Sequence, residues 1–299
     1  MAFRTVVISN RTELHVQSGQ LVAVQEQTTW IPIEDIAVLI LEHPRVRASA
    51  AALSLLVQQG VAVAVCDEKH MPTGLLVSHC AHSRQLAVTR QQLSQTLPHK
   101  KRVWQRLIQS KIRNQSICLE TLGLPGSARL LEYADSVQSG DTTGMEAAAA
   151  RLYFRRLIPT ATRRSQDGPG GSLDYGYAVL RAAVARSLVG HGFYPAIGLH
   201  HDSQLNSFNL ADDILEPYRP FVDYLAIAND VDVEAQSGRR LLLSVLQTPC
   251  GIQSKLHSVL TGIEATVSSL SRSMAERDSA VLALPSFVAP STIPEALAE

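Results

Sequence analysis

Residues 61–97 read VAVAVCDEKHMPTGLLVSHCAHSRQLAVTRQQLSQTL, and the periodicity of the chain changes inside them. VAVAVC has the apolar, β-branched run of a buried strand, DEKHMPTG has turn chemistry, and LLVS reads as a second strand. Beyond about Ser83 the apolar residues fall at helical spacing instead. The switch predicts an α+β chain, with an N-terminal β-domain followed by a C-terminal all-α domain and a boundary near residues 79–83.

Upstream, TVVISN, TELHVQSG, QLVAVQE and IAVLIL are short runs with partial alternation. Asn10-Arg11, Ser18-Gly19 and Pro32 separate them as turns. ASAAALSLLVQQG (48–60) differs, with Ala and Leu at helical spacing and Gly60 as its C-cap. Residues 1–80 are therefore expected to form small sheets with one covering helix. Downstream, helices are expected over Leu86–Leu97, Lys101–Leu122, Ala128–Val137, Gly144–Leu157, Tyr175–Val189, Ala211–Ala228 and Gln253–Glu276. Gly or Pro marks the breaks, at Pro98, Gly123 to Gly126, Gly140 and Gly168 to Gly171. The helical domain is assigned to 84–281. The tail, 282–299, is rich in Pro, Ser and Ala and is expected to be loosely ordered.

With 299 residues and 45% hydrophobic content the chain can bury two cores. No run approaches the roughly 20 apolar residues that cross a membrane, and MAFRTVVISN lacks the apolar core of a signal peptide. Cys66, Cys80, Cys118 and Cys250 show no CxxC spacing. They read as small buried residues in a reducing cytoplasm.

The 27 basic and 27 acidic residues cancel in total but not locally. Ala81 to Leu119 holds no acid, yet carries Arg84, Arg90, Lys100, Lys101, Arg102, Arg106, Lys111 and Arg113. A second basic group is Arg151, Arg155, Arg156, Arg163 and Arg164, while acids gather at 202–234. The bland alternative for the first group is a solvated helix face. Both groups beside an acidic cluster suggest instead a polyanion-binding face next to a cation site.

That acidic cluster is GLHHDSQLNSFNLADDILEPYRP (198–220). It sets His200 and His201 ahead of Asp212, Asp213 and Glu216, with Ser207 or Asn209 as helix cap and Pro217 and Pro220 as breaks. Carboxylates crowded at one helix start repel, and that cost suggests a bound cation. Glu146, in GMEAAAARLYF (144–154), is the best remote partner; on its own it is a solvated Glu on an Ala-rich helix. One imidazole with oxygen donors suits Mg²⁺ or Mn²⁺, and neither segment contains the cysteines of a structural zinc site. Such an ion would polarise a phosphoryl oxygen, with Arg151, Arg155 and Arg219 available to hold phosphates. There is no P-loop, no strand-borne GxGxxG and no GxSxG.

Four ordered motifs carry a family resemblance: VAVAVCDEKHMPTG, GMEAAAARLYF, SLDYGYAVLRAAVAR (172–186) and GLHHDSQLNSFNLADDILEPYRP. Together they resemble the CRISPR-associated spacer-acquisition integrases, the first of the numbered Cas proteins, in the short form of type II systems. The resemblance implies metal ligands at Glu146, His201 and Glu216, with His201 rather than His200 aligning with the family's ligand, and Asp213 in support. It implies an endonuclease and integrase that joins the 3′-hydroxyl of captured DNA to a CRISPR repeat border by transesterification. It also implies double-stranded DNA as ligand and a homodimer through the β-domains. A small ferredoxin-like companion would complete a heterohexamer, with the type II effector as a further partner. Arg151, Arg155, Arg219, Lys100, Lys101 and Arg102 are the expected DNA contacts. Gly168 to Gly171 departs from the family's Asn-containing loop, and Tyr218 replaces a more usual Phe, a change expected to be silent. The competing readings are a plain metal-dependent nuclease and a DNA-binding scaffold without chemistry.

Overall fold

The computed structural model describes residues 4–79, 82–159 and 169–289. Cys80, Arg163, Arg164, Gly168 and residues 290–299 lie outside these. The N-terminal region contains β1 (Arg4–Ile8), β2 (Glu13–Gln17), β3 (Gln20–Val24), β4 (Thr28–Pro32), β5 (Ile36–Leu41), β6 (Arg47–Ala48), α1 (Ala50–Gln58), β7 (Ala62–Cys66) and β8 (Pro72–Leu76). These strands make two four-stranded sheets, ordered β4-β3-β2-β6 and β1-β5-β7-β8.

In the first sheet β2 and β3 form an antiparallel hairpin. Its two turn residues, Ser18 and Gly19, both have positive φ, the twist that suits a two-residue hairpin. In the second sheet β1, β5 and β7 run parallel, and β8 returns antiparallel. The Asp67 carboxylate shapes that return by accepting from the backbone N–H of Lys69 (2.9 Å) and Met71 (3.0 Å). Helix α1 starts at Ser49, whose hydroxyl accepts from Ala52 N at 3.2 Å, and ends before Gly60 at φ +75°.

IAVLIL is buried on both faces, as a parallel strand without alternation should be. Leu39 packs with Leu14, Leu21, Leu56 and Val63 in a small core under α1. Val38, Ile40 and Ala64, on the opposite face, belong to the large helical core. The small core under α1 is closed by the N-terminal half alone, while the other face of its second sheet packs into the helical core. Arg239 and Glu42, both buried, add an ion pair across the junction at 2.6 Å.

The helical half contains α2 (Gln85–Leu93), α3 (Leu97–Thr121), α4 (Ser127–Ser136), α5 (Met145–Leu157), α6 (Gly170–Gly190), α7 (Asn209–Leu215), α8 (Arg219–Ala228), α9 (Gln236–Leu243) and α10 (Val259–Glu276). Pro98 opens α3 instead of separating two helices, since its missing N–H costs nothing in a first turn. Gly170 and Gly171 belong to the first turn of α6, which is buried on most sides and forms the centre of the fold.

Three features depart from the expected helices. α9 was not foreseen. Pro249–Ile252 (β9) and Lys255–Ser258 (β10) form a hairpin where the expected last helix begins. Ser286–Phe287 (β11) pairs with β9 on its other edge. That pairing corrects the expectation of a loose tail for its first residues, because Leu282, Ala283 and Phe287 are buried. Apolar burial there outweighs the disorder-prone composition.

Candidate active site

The turn Glu216–Tyr218 is a single 3-10 turn between α7 and α8, with prolines at 217 and 220 confining each helix as expected. Asn114 of α3 fixes it, donating its side-chain amide to Pro217 O at 2.8 Å and to Pro285 O at 3.1 Å. The same side chain accepts from Phe287 N at 2.9 Å. The Tyr218 hydroxyl is buried and pairs with Thr266 Oγ1 at 2.7 Å, so the extra oxygen has a partner.

The Glu216 carboxylate is only 4% exposed. Its Oε1 accepts from Arg219 Nε at 2.8 Å. Lys111 Nζ lies 2.6 Å from Oε2, yet that oxygen lacks a partner at a proper hydrogen-bond angle, so the contact is ionic. The same ammonium donates to Glu146 Oε1 at 2.7 Å. Glu146 and Glu216, from separate helices, thus converge on one buried cation. Burial alone would raise the Glu216 pKa, but Lys111 and Arg219 outweigh it and hold the group well below the usual carboxylate range. Burial would likewise lower the Lys111 pKa, and Glu216 and Glu146 reverse that.

Glu146 is held by the start of α5. The Asp141 carboxylate accepts from Met145 N at 2.8 Å and from Glu146 N at 2.9 Å. It thereby closes two of the helix's orphan donors.

The histidine loop is organised by Asp213, which is completely buried. Its carboxylate accepts from the backbone N–H of Leu199 (2.6 Å), His200 (3.1 Å) and His201 (3.1 Å), and pairs with His201 Nδ1 at 2.7 Å. The hydrogen bond to Asp213 raises the His201 pKa against the opposing effect of burial. Gly198 permits this approach, since a Cβ there would sit 2.1 Å from His201 O. His200 stacks on Trp104 with ring centroids 4.1 Å apart, and His201 meets the same ring edge-on at 5.7 Å. Neither Ser207 nor Asn209 caps α7. Asn209 instead ties the loop, donating to Ala196 O and Ser203 O and accepting from Ser203 N.

Asp212 is held by a two-point pair with Arg181 at 2.7 and 2.8 Å. The carboxylates that looked crowded in sequence therefore each meet a protein cation or a set of N–H donors. Arg219, expected to touch DNA, stacks over the Tyr177 ring at 4.4 Å in addition to holding Glu216. Tyr177 and Tyr153 both donate to the buried Asp223. Tyr177 and Arg181 of α6 thus support Arg219 and Asp212, while Tyr175 reaches Glu42 instead.

Among the described residues, no three His, Cys, Asp or Glu side chains stand close enough to hold a metal ion. The donor chemistry nevertheless fits a divalent cation: two carboxylates aimed at one positive charge, a buried Glu216 oxygen without a directional partner, and an imidazole tied at Nδ1 with Nε2 left over. Arg151, Arg155, Lys101 and Arg102 are exposed, and Lys100 is half-buried with its ammonium 3.4 Å from Gly198 O. Lys111, read in sequence as part of the basic run, is the residue that reasoning missed. Its signal was the helical register. It lies seven residues after Trp104 and four after Leu107, on the apolar stripe of α3.

Cys66, Cys118 and Cys250 are free and buried, and burial pushes the Cys66 and Cys250 thiols up to about 12. Among the described residues, no helix is long and apolar enough to cross a membrane.

Residues 5–231 match the family described as CRISPR associated protein Cas1. The chain is 37% identical over 296 residues to the CRISPR-associated endonuclease Cas1 of Neisseria meningitidis serogroup C, covering 96% of this chain and 97% of that one. A Pyrobaculum aerophilum protein, CRISPR-associated endonuclease Cas1 2, is 24% identical over 91% of the chain and 97% of its own length. In fold, the chain resembles a CAS1 protein from Thermotoga maritima, with a TM-score of 0.72 at 13% identity over 91% of this chain and 97% of that one. A casposase bound to its integration product gives 0.73 at 15% identity, covering 93% and 91%.

Proposed function

The chain belongs to the CRISPR-associated Cas1 family, and from that premise we propose that it is a metal-dependent DNA endonuclease and integrase that inserts captured DNA at the borders of CRISPR repeats. The observation that carries this reading is the convergence of Glu146 and Glu216 on one buried positive charge, together with an imidazole oriented by Asp213. Glu146, Glu216 and His201 would hold Mg²⁺ or Mn²⁺. When bound, the ion would supply Lewis-acid stabilisation of charge on a phosphoryl oxygen.

The chain's own residues supply the rest. Asp213 sets the tautomer of His201, keeping its proton on Nδ1 and Nε2 free. Arg219 neutralises the Glu216 oxygen that faces away from Lys111, and Asn114 and Asp141 hold the two carboxylate-bearing turns in register. In strand transfer, the 3′-oxygen of the captured strand forms a bond to phosphorus, the existing P–O bond breaks to release a 3′-hydroxyl, and the proton passes from one hydroxyl to the other. With water as the nucleophile, the same geometry gives hydrolysis. Exposed Arg151, Arg155, Lys101 and Arg102 would grip the backbone without reading sequence.

The proposed assembly is a homodimer through the β-sheets, joined by a small ferredoxin-like companion into a heterohexamer. The companion is supported by one structural neighbour, a Cas6-RT-Cas1–Cas2 complex with a TM-score of 0.72. The type II effector is a further proposed partner. The test is a strand-transfer assay with a short duplex and a plasmid repeat array, with and without the companion, in Mn²⁺ or EDTA. Metal-dependent joining at repeat borders, lost in Glu146→Ala, is expected. Cutting without joining under every condition would leave a plain nuclease, and activity in EDTA would refute the metal reading.

A further inference from the structure

We infer that Lys111 is a built-in counter-ion of the active site, which occupies the space between Glu146 and Glu216 until a divalent ion enters and drives it out. The inference rests on the metal reading of this site. Three observations carry it. Lys111 is 8% exposed and lies in the middle of the long helix α3, so its charge is not a surface feature. Its Nζ stands 2.7 Å from Glu146 Oε1 and 2.6 Å from Glu216 Oε2. Arg219 already occupies the other Glu216 oxygen.

Oε2, the oxygen the ammonium faces and the one without a hydrogen-bond partner, is the one most open to a metal ion on Glu216. A hard divalent ion binds oxygen at about 2.1 Å, closer than the ammonium now lies. Two cations on one buried oxygen repel strongly where little water screens them. The weaker and less directional contact is the one to break, because the ammonium contacts Oε2 without a proper hydrogen-bond angle. The four-carbon stem of lysine allows it to swing away. Glu146, whose side chain is 28% exposed, marks the side on which solvent is reached. Without metal, Lys111 removes the repulsion between the two carboxylates and keeps their turns in place.

The test is Mn²⁺ binding to the full chain, read as free Mn²⁺ by electron paramagnetic resonance, with thermal melts in EDTA and in Mn²⁺. Lys111→Met, which keeps the stem and loses the charge, should bind Mn²⁺ at least about tenfold more tightly than wild type. It should also melt lower in EDTA and recover in Mn²⁺. Unchanged or weaker binding by the folded variant overturns the inference. In case the variant does not fold without metal, the wild type is probed by amine acylation and mass spectrometry. Lys111 should be protected in EDTA and become reactive at saturating Mn²⁺; continued protection overturns displacement even though metal binds. Failure of both wild type and variant to bind Mn²⁺ removes the metal reading itself, and the counter-ion role with it.

Discussion

Asp213 Oδ1 lies 2.7 Å from His201 Nδ1, and the same carboxylate accepts three consecutive backbone N–H groups of the loop that carries the histidine. One side chain therefore both shapes the loop and orients the ring. Asp213→Ala should leave these buried donors unpaired and lower stability by about 3 kcal/mol or more, read by urea denaturation. Asp213→Asn retains the shape but can no longer accept with both side-chain atoms, so it should fall between the two. DNA cleavage should be lost in both variants, because the imidazole is no longer held. A fully stable, active Asp213→Ala would show that the loop is organised by something else.

Acid weakens the carboxylate turn through Glu216. Burial opposes its charge, but Lys111 and Arg219 bring its pKa down from 4.5 to about 2. A depressed carboxylate contributes stability that is complete above its unfolded value and is lost as pH falls towards the folded one. The window is thus about pH 4.5 down to 2, with a contribution of about 3 kcal/mol. Lys111, raised above 10.5, contributes fully below that value and loses its share only at more alkaline pH. Glu216→Gln should flatten the pH dependence of unfolding between pH 5 and 2; an unchanged slope would mean the pair carries no net stability.

Asp141 stands outside α5 but closes its first turn through Met145 N and Glu146 N. Asp141→Ala should cost about 1–2 kcal/mol, as loss of a helix cap does. It should also reduce cleavage by freeing Glu146, although Asp141 is not among the proposed metal ligands. Denaturation and Mn²⁺-dependent cleavage, measured on the same preparation, separate the two effects. A stability loss with unaltered cleavage would mean that Glu146 keeps its position without the cap.

The change of period near Ser83 and the proline-bounded carboxylates were legible because local chemistry produces them. IAVLIL has the unbroken apolar run of a strand covered on both faces, and Glu216 is followed by a proline that can only start a turn. The β9–β10 hairpin was not legible because its turn residues, Gln253 and Ser254, adopt positive φ without the Gly or Asn that usually signals it. Lys111 was hidden for a different reason. A lysine among arginines reads as surface charge, and only tertiary packing places its ammonium between two carboxylates 35 and 105 residues away along the chain. The contacts of Arg219 were hidden in the same way, since its stacking on Tyr177 depends on α6 lying beside the turn.

The exposed basic residues make a separate prediction, about affinity rather than chemistry. Arg151 and Arg155 lie on α5 one turn apart and are both exposed, on the helix whose first turn carries Glu146. Each neutralised phosphate releases a counter-ion, so binding should weaken steeply with salt. Arg151→Ala with Arg155→Ala should lower the slope of log affinity against log salt by about 2, one for each phosphate that is no longer neutralised. The drop in affinity should be similar for unrelated duplex sequences, because phosphates carry no base information. Fluorescence anisotropy from about 50 to 300 mM salt, a range over which such binding falls by orders of magnitude, measures this directly. A double variant with the wild-type slope would place the DNA elsewhere, and Lys101 and Arg102 on α3 would be the next pair to change.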